Sequence, residues 1–421
     1  MKNIVVFPFK IWVAIACCFT AFCSLQAQHM DLVDSTQTQV LADTGQQYFL
    51  PDLSQKDLMW TKGGNKFFTH KLGFVMIFDY SGFSQDSSSE AQVGLQESTG
   101  DIRGARVMMR GKLNFKNPWS YLLSLEYKGL DRTEDDPAFG FTDIQFVVPV
   151  LKNTDLSIGK IKETFGYEMV GDAANLPHQE RLLNPFFRSR NTGMMLKHYM
   201  LDNRMTIAGG YYNDFISGPG TSTFTARLTG LPVWNMGGKH FWHSAFSFRY
   251  TDAVDGNVRL KGKNQTNVGS NYVDTGNFAA DGQINLGVEQ LWSLDNASLL
   301  VEYMHNWTPT PTGTEQFQGY YVTASYVLSG EQRPYDQKAA YARRIKPDSK
   351  AGAWEVTGRY GRVDLDGLII HGGINTIYTA GLNWWANQHW KAGINYSISN
   401  LQRSSITGIT HSYQVRLQWV Y

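Results

Sequence analysis

Along most of the chain, apolar and polar residues alternate with a period of two. The C-terminus is the clearest case. Tyr413, Val415, Leu417, Trp419 and Tyr421 alternate with Ser412, Gln414, Arg416, Gln418 and, imperfectly, Val420. Period two puts the two sets on opposite faces of a strand. Near 105–115, Ala105, Val107, Met109, Gly111, Leu113 and Phe115 share one face, and Arg106, Met108, Arg110, Lys112 and Asn114 share the other. After Asn117-Pro118 the pattern resumes with Trp119, Tyr121, Leu123, Leu125 and Tyr127 against Ser120, Leu122, Ser124, Glu126 and Lys128.

The pattern predicts about sixteen strands, near 69–83, 102–116, 119–130, 139–150, 155–163, 191–200, 204–216, 222–234, 240–251, 282–293, 297–307, 317–329, 352–365, 372–385, 388–400 and 411–421. Two architectures fit many alternating strands. A soluble sandwich buries one face of each sheet. A transmembrane barrel turns its apolar face, with aromatic girdles, toward lipid. The aromatic residues recurring strand after strand favour the barrel, and an even strand count suits a single-chain bacterial one. A basic residue on the lipid face at mid-membrane costs about 2–4 kcal/mol. Arg106, Arg110 and Lys112 must therefore face water inside. If strand one runs outward, Lys116-Asn117-Pro118, Lys152-Asn153-Thr154, Leu201-Asp202-Asn203, Leu294-Asp295-Asn296 and Ala386-Asn387 become short periplasmic turns. The longer 84–101, 164–190 and 252–281 become outer loops. Segment 330–351 is long yet falls on the periplasmic side, where a misplaced hairpin would explain it.

The N-terminus sets the compartment. Met1–Lys10 holds Lys2 and Lys10 and no acid, Ile11–Leu25 is apolar, and Ala27 offers a small residue for cleavage. That order is a secretory signal. The apolar run is short for a membrane helix, and Phe22 sits where a lipobox before Cys23 needs a small residue. Residues 28–66, polar and Gln-rich, read as a poorly ordered periplasmic arm, and 67–421 as the barrel. The three cysteines all lie within 1–27, so the mature chain has no disulfide or thiolate chemistry. Two of the 38 basic residues and none of the 37 acidic ones leave with the leader, for a mature balance of −1. Nothing there argues for nucleic acid. Charged residues are 18%, against a usual ~25%. No mature stretch approaches the ~20 apolar residues of a spanning helix, so a closed barrel is the remaining way across a bilayer.

Several stretches look familiar together. Gly159-Lys160-Ile161-Lys162-Glu163-Thr164-Phe165-Gly166, Glu180-Arg181, Ser189-Arg190-Asn191-Thr192-Gly193, Val273-Asp274-Thr275-Gly276 with Ala280-Asp281-Gly282, Leu328-Ser329-Gly330-Glu331-Gln332-Arg333-Pro334-Tyr335-Asp336 and Ala353-Trp354-Glu355 appear in order. From about residue 69 the chain resembles the phosphate-selective porin O and P family. The resemblance implies a sixteen-stranded barrel, a homotrimer, an inward-folded constriction loop, here 164–190, and a basic lumen that draws anions through. Two positions depart from the family pattern. Gly104, in Arg103-Gly104-Ala105-Arg106, stands where an Arg-Arg-x-Arg run has its second arginine, and Thr164 replaces a proline. The first departure implies weaker phosphate selectivity.

Arginine suits oxyanions because its planar fork donates paired hydrogen bonds and keeps its charge, and charged rings at a constriction select ions. The candidates for anion binding along the pore are Arg103, Arg106, Arg110 and Lys112 on strand two, Lys160 and Lys162 on strand five, and Arg181, Arg188 and Arg190 on the loop. Glu163, Glu168, Asp172 and Glu180 compete with them. The expected partners are small anions, phosphate or polyphosphate among them, with lipid, lipopolysaccharide and the barrel assembly machinery. No cofactor, metal or catalytic residue is implied. His240 and His243 form His-x-x-His, but odd spacing on a strand puts them on opposite faces. No phosphate loop or nucleophile elbow appears. An unselective diffusion pore remains the alternative. A barrel hydrolase, needing Ser, His and an orienting group at one rim, is a more remote one. Asp131–Asp136 reads as a solvated turn in preference to a divalent-cation site.

Overall fold

The computed structural model describes residues 62–127, 139–213 and 220–421. The leader, nearly all of the arm, and Asp131–Asp136 lie outside the described residues. Sixteen strands form the wall: β1 Phe68–Gln85, β2 Thr99–Leu113, β3 Trp119–Tyr127, β4 Phe139–Leu151, β5 Thr154–Ile161, β6 Asn191–Met200, β7 Met205–Asn213, β8 Ser222–Asn235, β9 His240–Asp252, β10 Gly282–Leu294, β11 Ala297–Thr310, β12 Gly313–Val327, β13 Ala353–Asp366, β14 His371–Trp385, β15 Trp390–Arg403 and β16 Ile406–Val420. Each pairs antiparallel with its sequence neighbours, and β16 returns to β1 from Val75↔Val420 to Gln85↔Thr410. Closure leaves no barrel edge unpaired, as backbone amides in hydrocarbon require.

The wall is inside out relative to a soluble sheet. On β16, Ser412, Gln414, Arg416 and Gln418 are buried, while Val415 is exposed. On β1, Asp79 and Ser81 point inward, and Met76, Phe78 and Tyr80 point out. Polar side chains therefore fill the interior, and apolar ones form the lipid face. Tryptophan pairs cluster at the end where β1 begins and β16 finishes: Trp242/Trp292, Trp354/Trp384 and Trp390/Trp419, with centroids 6.3, 5.9 and 6.2 Å apart. Tyrosines dominate the other end, as in Tyr320/Tyr360/Tyr378. These are the two aromatic girdles, and the short turns at the tryptophan end mark it as the periplasmic one.

Two outer connections are tighter than the sequence suggested. β15 and β16 meet through Ser404 and Ser405, both at positive φ (46° and 66°), with Arg403 facing Ile406. Two positive φ values match the right-handed strand twist, but serines lack the usual Asn-Gly signature, so strand 411–421 extends back to Ile406. Likewise β11 and β12 join at Pro311-Thr312. The first outer loop carries a short helix, α1 (Ser87–Val93), capped by Asp86 accepting from the Ser89 amide at 2.7 Å. At the periplasmic end, Lys62–Gly64 pairs back on Thr69–Lys71.

Segment 328–352 is not a barrel hairpin. It joins β12 to β13 at the periplasmic end and folds into the lumen around a two-rung ladder, Tyr335–Asp336 with Tyr341–Ala342. Burial of Tyr341, Ala342 and Ile345 holds it there.

Candidate functional site

Three segments occupy the lumen: 162–190 and 253–281 from the outer end, and 328–352 from the periplasmic end. The first brings Phe165, Leu182, Leu183 and Phe186 against Met304, Phe317, Tyr321 and Val363 of the wall. The second adds Leu260, Tyr272, Val273 and Phe278 to the same cluster. The side of the barrel formed by β9–β15 is thus a packed core. The opposite wall lacks that apolar cluster, and there β2 and β3 turn half-buried Arg106 and Glu126 and exposed Arg110 and Lys112 inward, which makes it the side left for a passage.

Loop 162–190 is fastened by its own acids. Glu163 accepts from Arg249 of β9 at 2.6 Å and from Asn191 at 3.1 Å. Glu168 meets Arg359 of β13 at 2.5 Å. Glu180 accepts from Arg103 of β2 and lies 3.3 Å from Arg416 of β16, which also grips Asp79 bidentately at 2.7 and 2.5 Å. The Tyr167 amide donates to Glu302 at 2.6 Å. Three of the four carboxylates that competed with the loop's positive charge are therefore neutralised by wall arginines. Burial would raise the Glu180 carboxyl, but Arg103 and then Arg416 and Arg181 hold it down to about 2.

The basic candidates separate into groups. Arg103 and Arg106 sit three apart and would face opposite ways on a regular strand. A bulge between the Ile77/Gly104 and Phe78/Ile102 rungs turns Arg103 inward beside Arg106. Arg106 pairs with Glu126 at 2.6 Å, and Arg190 with Asp143 at 3.0 Å. Lys162 donates to the Val170 and Gly171 carbonyls (3.1 and 3.0 Å) and to Asp172 (2.8 Å), so it ties the loop to itself. Arg181 donates to the carbonyls of Glu168 (2.6 Å) and Gly171 (3.2 Å) and meets no carboxylate among the described residues. Burial pulls its guanidinium below its ordinary value; Glu180 and Glu168 oppose this, and Arg103 and Arg190 add to it. Arg188 is exposed at the loop's edge. Arg110 and Lys112 follow Arg106 toward the periplasmic end, both exposed.

Lys160 is a correction. It faces Ile144 and Thr192 across the ladder, whereas the inward rungs are Gln145–Gly159 and Val147–Ser157, with Gln145 bonded to Ser157 at 3.2 Å. Parity therefore puts Lys160 on the outer face at the rim. The strand ends at Ile161, so Lys162 belongs to the loop.

Sequence reasoning missed several cations. Lys71 sits directly across from Arg110 and Thr69 across from Lys112, so β1 adds to the same stripe. Arg343 pairs with Asp336 at 2.7 Å and lies 3.6 Å from Asp172. Arg344 is in Coulomb range of Arg110. The Arg343-Arg344 doublet was visible, but nothing in its sequence said that 328–352 turns inward. Lys71, Arg110, Lys112 and Arg344 meet no carboxylate at ion-pair distance among the described residues. His240 and His243 lie on opposite faces. His240 contacts Asp295 at 3.1 Å, while His243 is buried between Tyr335 (2.7 Å) and Glu289 (3.3 Å).

The comparisons agree with this geometry. Among solved structures, the fold is similar to the anion-selective porin from Comamonas acidovorans, with a TM-score of 0.56 at 11% identity over 84% of this chain and 100% of that one. It is also similar to the trimer form of OmpT, an outer membrane protein of Vibrio cholerae, with a TM-score of 0.53 at 9% identity over 84% and 99%. In sequence it is 24% identical over 388 residues to Porin O of Pseudomonas aeruginosa, covering 80% of this chain and 85% of that protein. The model of the family called phosphate-selective porin O and P matches residues 70–421, all sixteen strands all but complete, and with the closed inside-out barrel this makes the chain an outer-membrane porin belonging to that family.

Proposed function

We propose that the pore passes small anions, with phosphate-class oxyanions retained longer than chloride. One observation carries the reading. Arg181 in the constriction, then Lys71, Arg110, Lys112 and Arg344 below it, give the passage a run of cations with no carboxylate partner, beside neutralised pairs such as Arg106–Glu126. Two like charges facing each other across a ladder, as Lys71 and Arg110 do, destabilise the wall, and a passing anion relieves that repulsion. The anion-selective description of the Comamonas porin supports the same reading. Weak selectivity is favoured by Gly104 and by the pairing of Arg106 and Arg190 with Glu126 and Asp143.

The protein works as a homotrimer in this proposal, a reading supported by its likeness to the trimer form of OmpT. Residues 1–27 are a cleaved leader, 28–66 a periplasmic arm, and the barrel meets lipopolysaccharide and the assembly machinery. Zero-current potentials of the purified protein in a salt gradient test the selectivity. Anion preference is expected, with phosphate blocking chloride current. Replacing Arg106 and Arg110 with serine weakens both, and the effects shrink as the Debye length falls from ~10 Å at 0.1 M to ~3 Å at 1 M salt. Cation preference in the unmodified protein refutes the anion assignment and leaves a general diffusion pore.

A further inference from the structure

His178 lies midway along the inner loop and is completely buried. From Ala174 to Gln179 the segment docks on the wall through neutral carbonyls, while Glu180 beyond it stays ion-paired to Arg103 and Arg416. Gln418 donates to Ala174 (2.9 Å), Lys391 to Leu176 (2.8 Å) and Asn383 to Pro177 (2.7 Å), and Gln179 donates to Gly393 (3.3 Å). The His178 Nδ1 faces the Asn395 side-chain amide nitrogen at 3.4 Å, and its Nε2 has no partner. The charges packed around it are one-sided. Arg359 of β13, Lys391 of β15 and Arg333 of segment 328–352 act on it. Every nearby carboxylate is already engaged. Glu168 holds Arg359, Glu355 of β13 holds Arg333 and accepts from Asn383 and Trp385, and Glu180 and Asp79 hold Arg416 of β16. A charged imidazole here would be a fourth cation with no counterion, its Nε2–H unpaired and its Nδ1–H set against the Asn395 amide, which is itself a donor.

We propose that His178 is an acid latch: protonation frees segment 174–179 from β13–β16, Glu180 remaining on Arg103 and Arg416 as its anchor, and the freed segment moves toward β2–β5 and closes the pore. The direction follows from volume. The β9–β15 side is filled by the apolar cluster, so the passage is the space open to a released loop. Burial, with Arg359, Lys391 and Arg333, pushes the docked imidazole well below its ordinary 6.5. A depressed histidine value means docking is fully present above the free value and is lost as pH falls below it. The undocked-to-docked ratio therefore rises up to about tenfold for each pH unit below the free value, until the docked imidazole itself protonates.

The inference rests on the pore reading, and one experiment separates the two. Single-channel current through the mature protein is recorded between about pH 7.5 and about pH 4.5, either side of the free imidazole value. The closed fraction of the unmodified protein is expected to climb with acid, while His178→Gln, neutral at every pH, conducts alike at the upper pH and loses the climb. Hydrogen exchange of the 174–182 peptide in the unmodified protein, corrected for intrinsic rate, is expected to speed up over the same range, and needs no variant to fold. No current at the upper pH overturns the pore reading. Current whose closed fraction ignores pH, or acid closure kept by His178→Gln, overturns the latch.

Discussion

Replacing Arg359 with methionine should loosen the inner loop while leaving the barrel standing. The Arg359–Glu168 contact is 2.5 Å long between side chains 0% and 1% exposed. Methionine keeps most of the volume and removes the charge, which strands the Glu168 carboxylate. Removing one partner of a buried pair costs about 3–5 kcal/mol, or roughly 10²–10⁴-fold in the loop-docking equilibrium. No local group takes over: Glu168 Oε2 already lacks a donor. Arg359 also donates to Thr323 at 2.8 Å and lies 4.3 Å over the Tyr321 ring, so some lost packing adds to the effect. The β12–β13 and β13–β14 ladders are backbone bonds and survive. The assay is hydrogen exchange of peptides in 163–182 together with open-channel noise, near pH 8, where His178 is neutral in either state. Exchange should accelerate, noise should rise, and heat-modifiable migration on gels should persist. The double variant Arg359→Met with Glu168→Gln removes the stranded charge and should recover much of the protection. Unchanged exchange in the single variant, or a double variant as loose as the single, refutes the argument that this pair holds the loop.

Three further outcomes follow from particular positions. Gly104 points inward, and a Cβ there meets Glu126 Oε1 at an ordinary 3.5 Å. Gly104→Arg should therefore fit and raise anion preference severalfold in zero-current measurements, since a charge roughly 10 Å from the ion path at an effective dielectric of roughly 40 contributes about 0.8 kcal/mol. Lys160→Gln should leave selectivity unchanged, because the residue faces outward; a shift comparable to that of Arg110→Ser contradicts the register. Deleting 412–421 strips most of the strand that bridges β15 and β1, so the protein should fail to assemble. Surface labelling at normal levels would contradict that expectation.

Much of this molecule follows from local pattern. Alternation with charges on one face and aromatics on the other leaves a closed barrel as the solution in lipid, because a lipid-facing arginine and an unpaired amide are both too costly. The sixteen strands, the tight turns at Asn153 and Asp295 and the inward parity of Arg106, Arg110 and Lys112 come from that logic. The family resemblance added the inward loop.

What the alternation leaves undetermined is whatever breaks it or acts across the lumen. Arg103 reaches the passage through a bulge, one extra residue that flips parity without a sequence mark. Lys160 misses the passage because its parity is fixed by pairing with β4 and β6, which only the register defines. The Ser404-Ser405 turn carries no glycine or asparagine to announce its positive φ values. In the sequence, segment 330–351 reads as a long periplasmic connection or a misplaced hairpin, yet its burial depends on a lumen framed by walls far away along the chain. The charge of the pore was the least legible feature. The sequence supplies Glu163, Glu168 and Glu180, but their neutralisation depends on Arg249, Arg359 and Arg416, between 86 and 236 positions distant along the chain. Composition counts charges, and only tertiary contact decides which of them a passing ion meets.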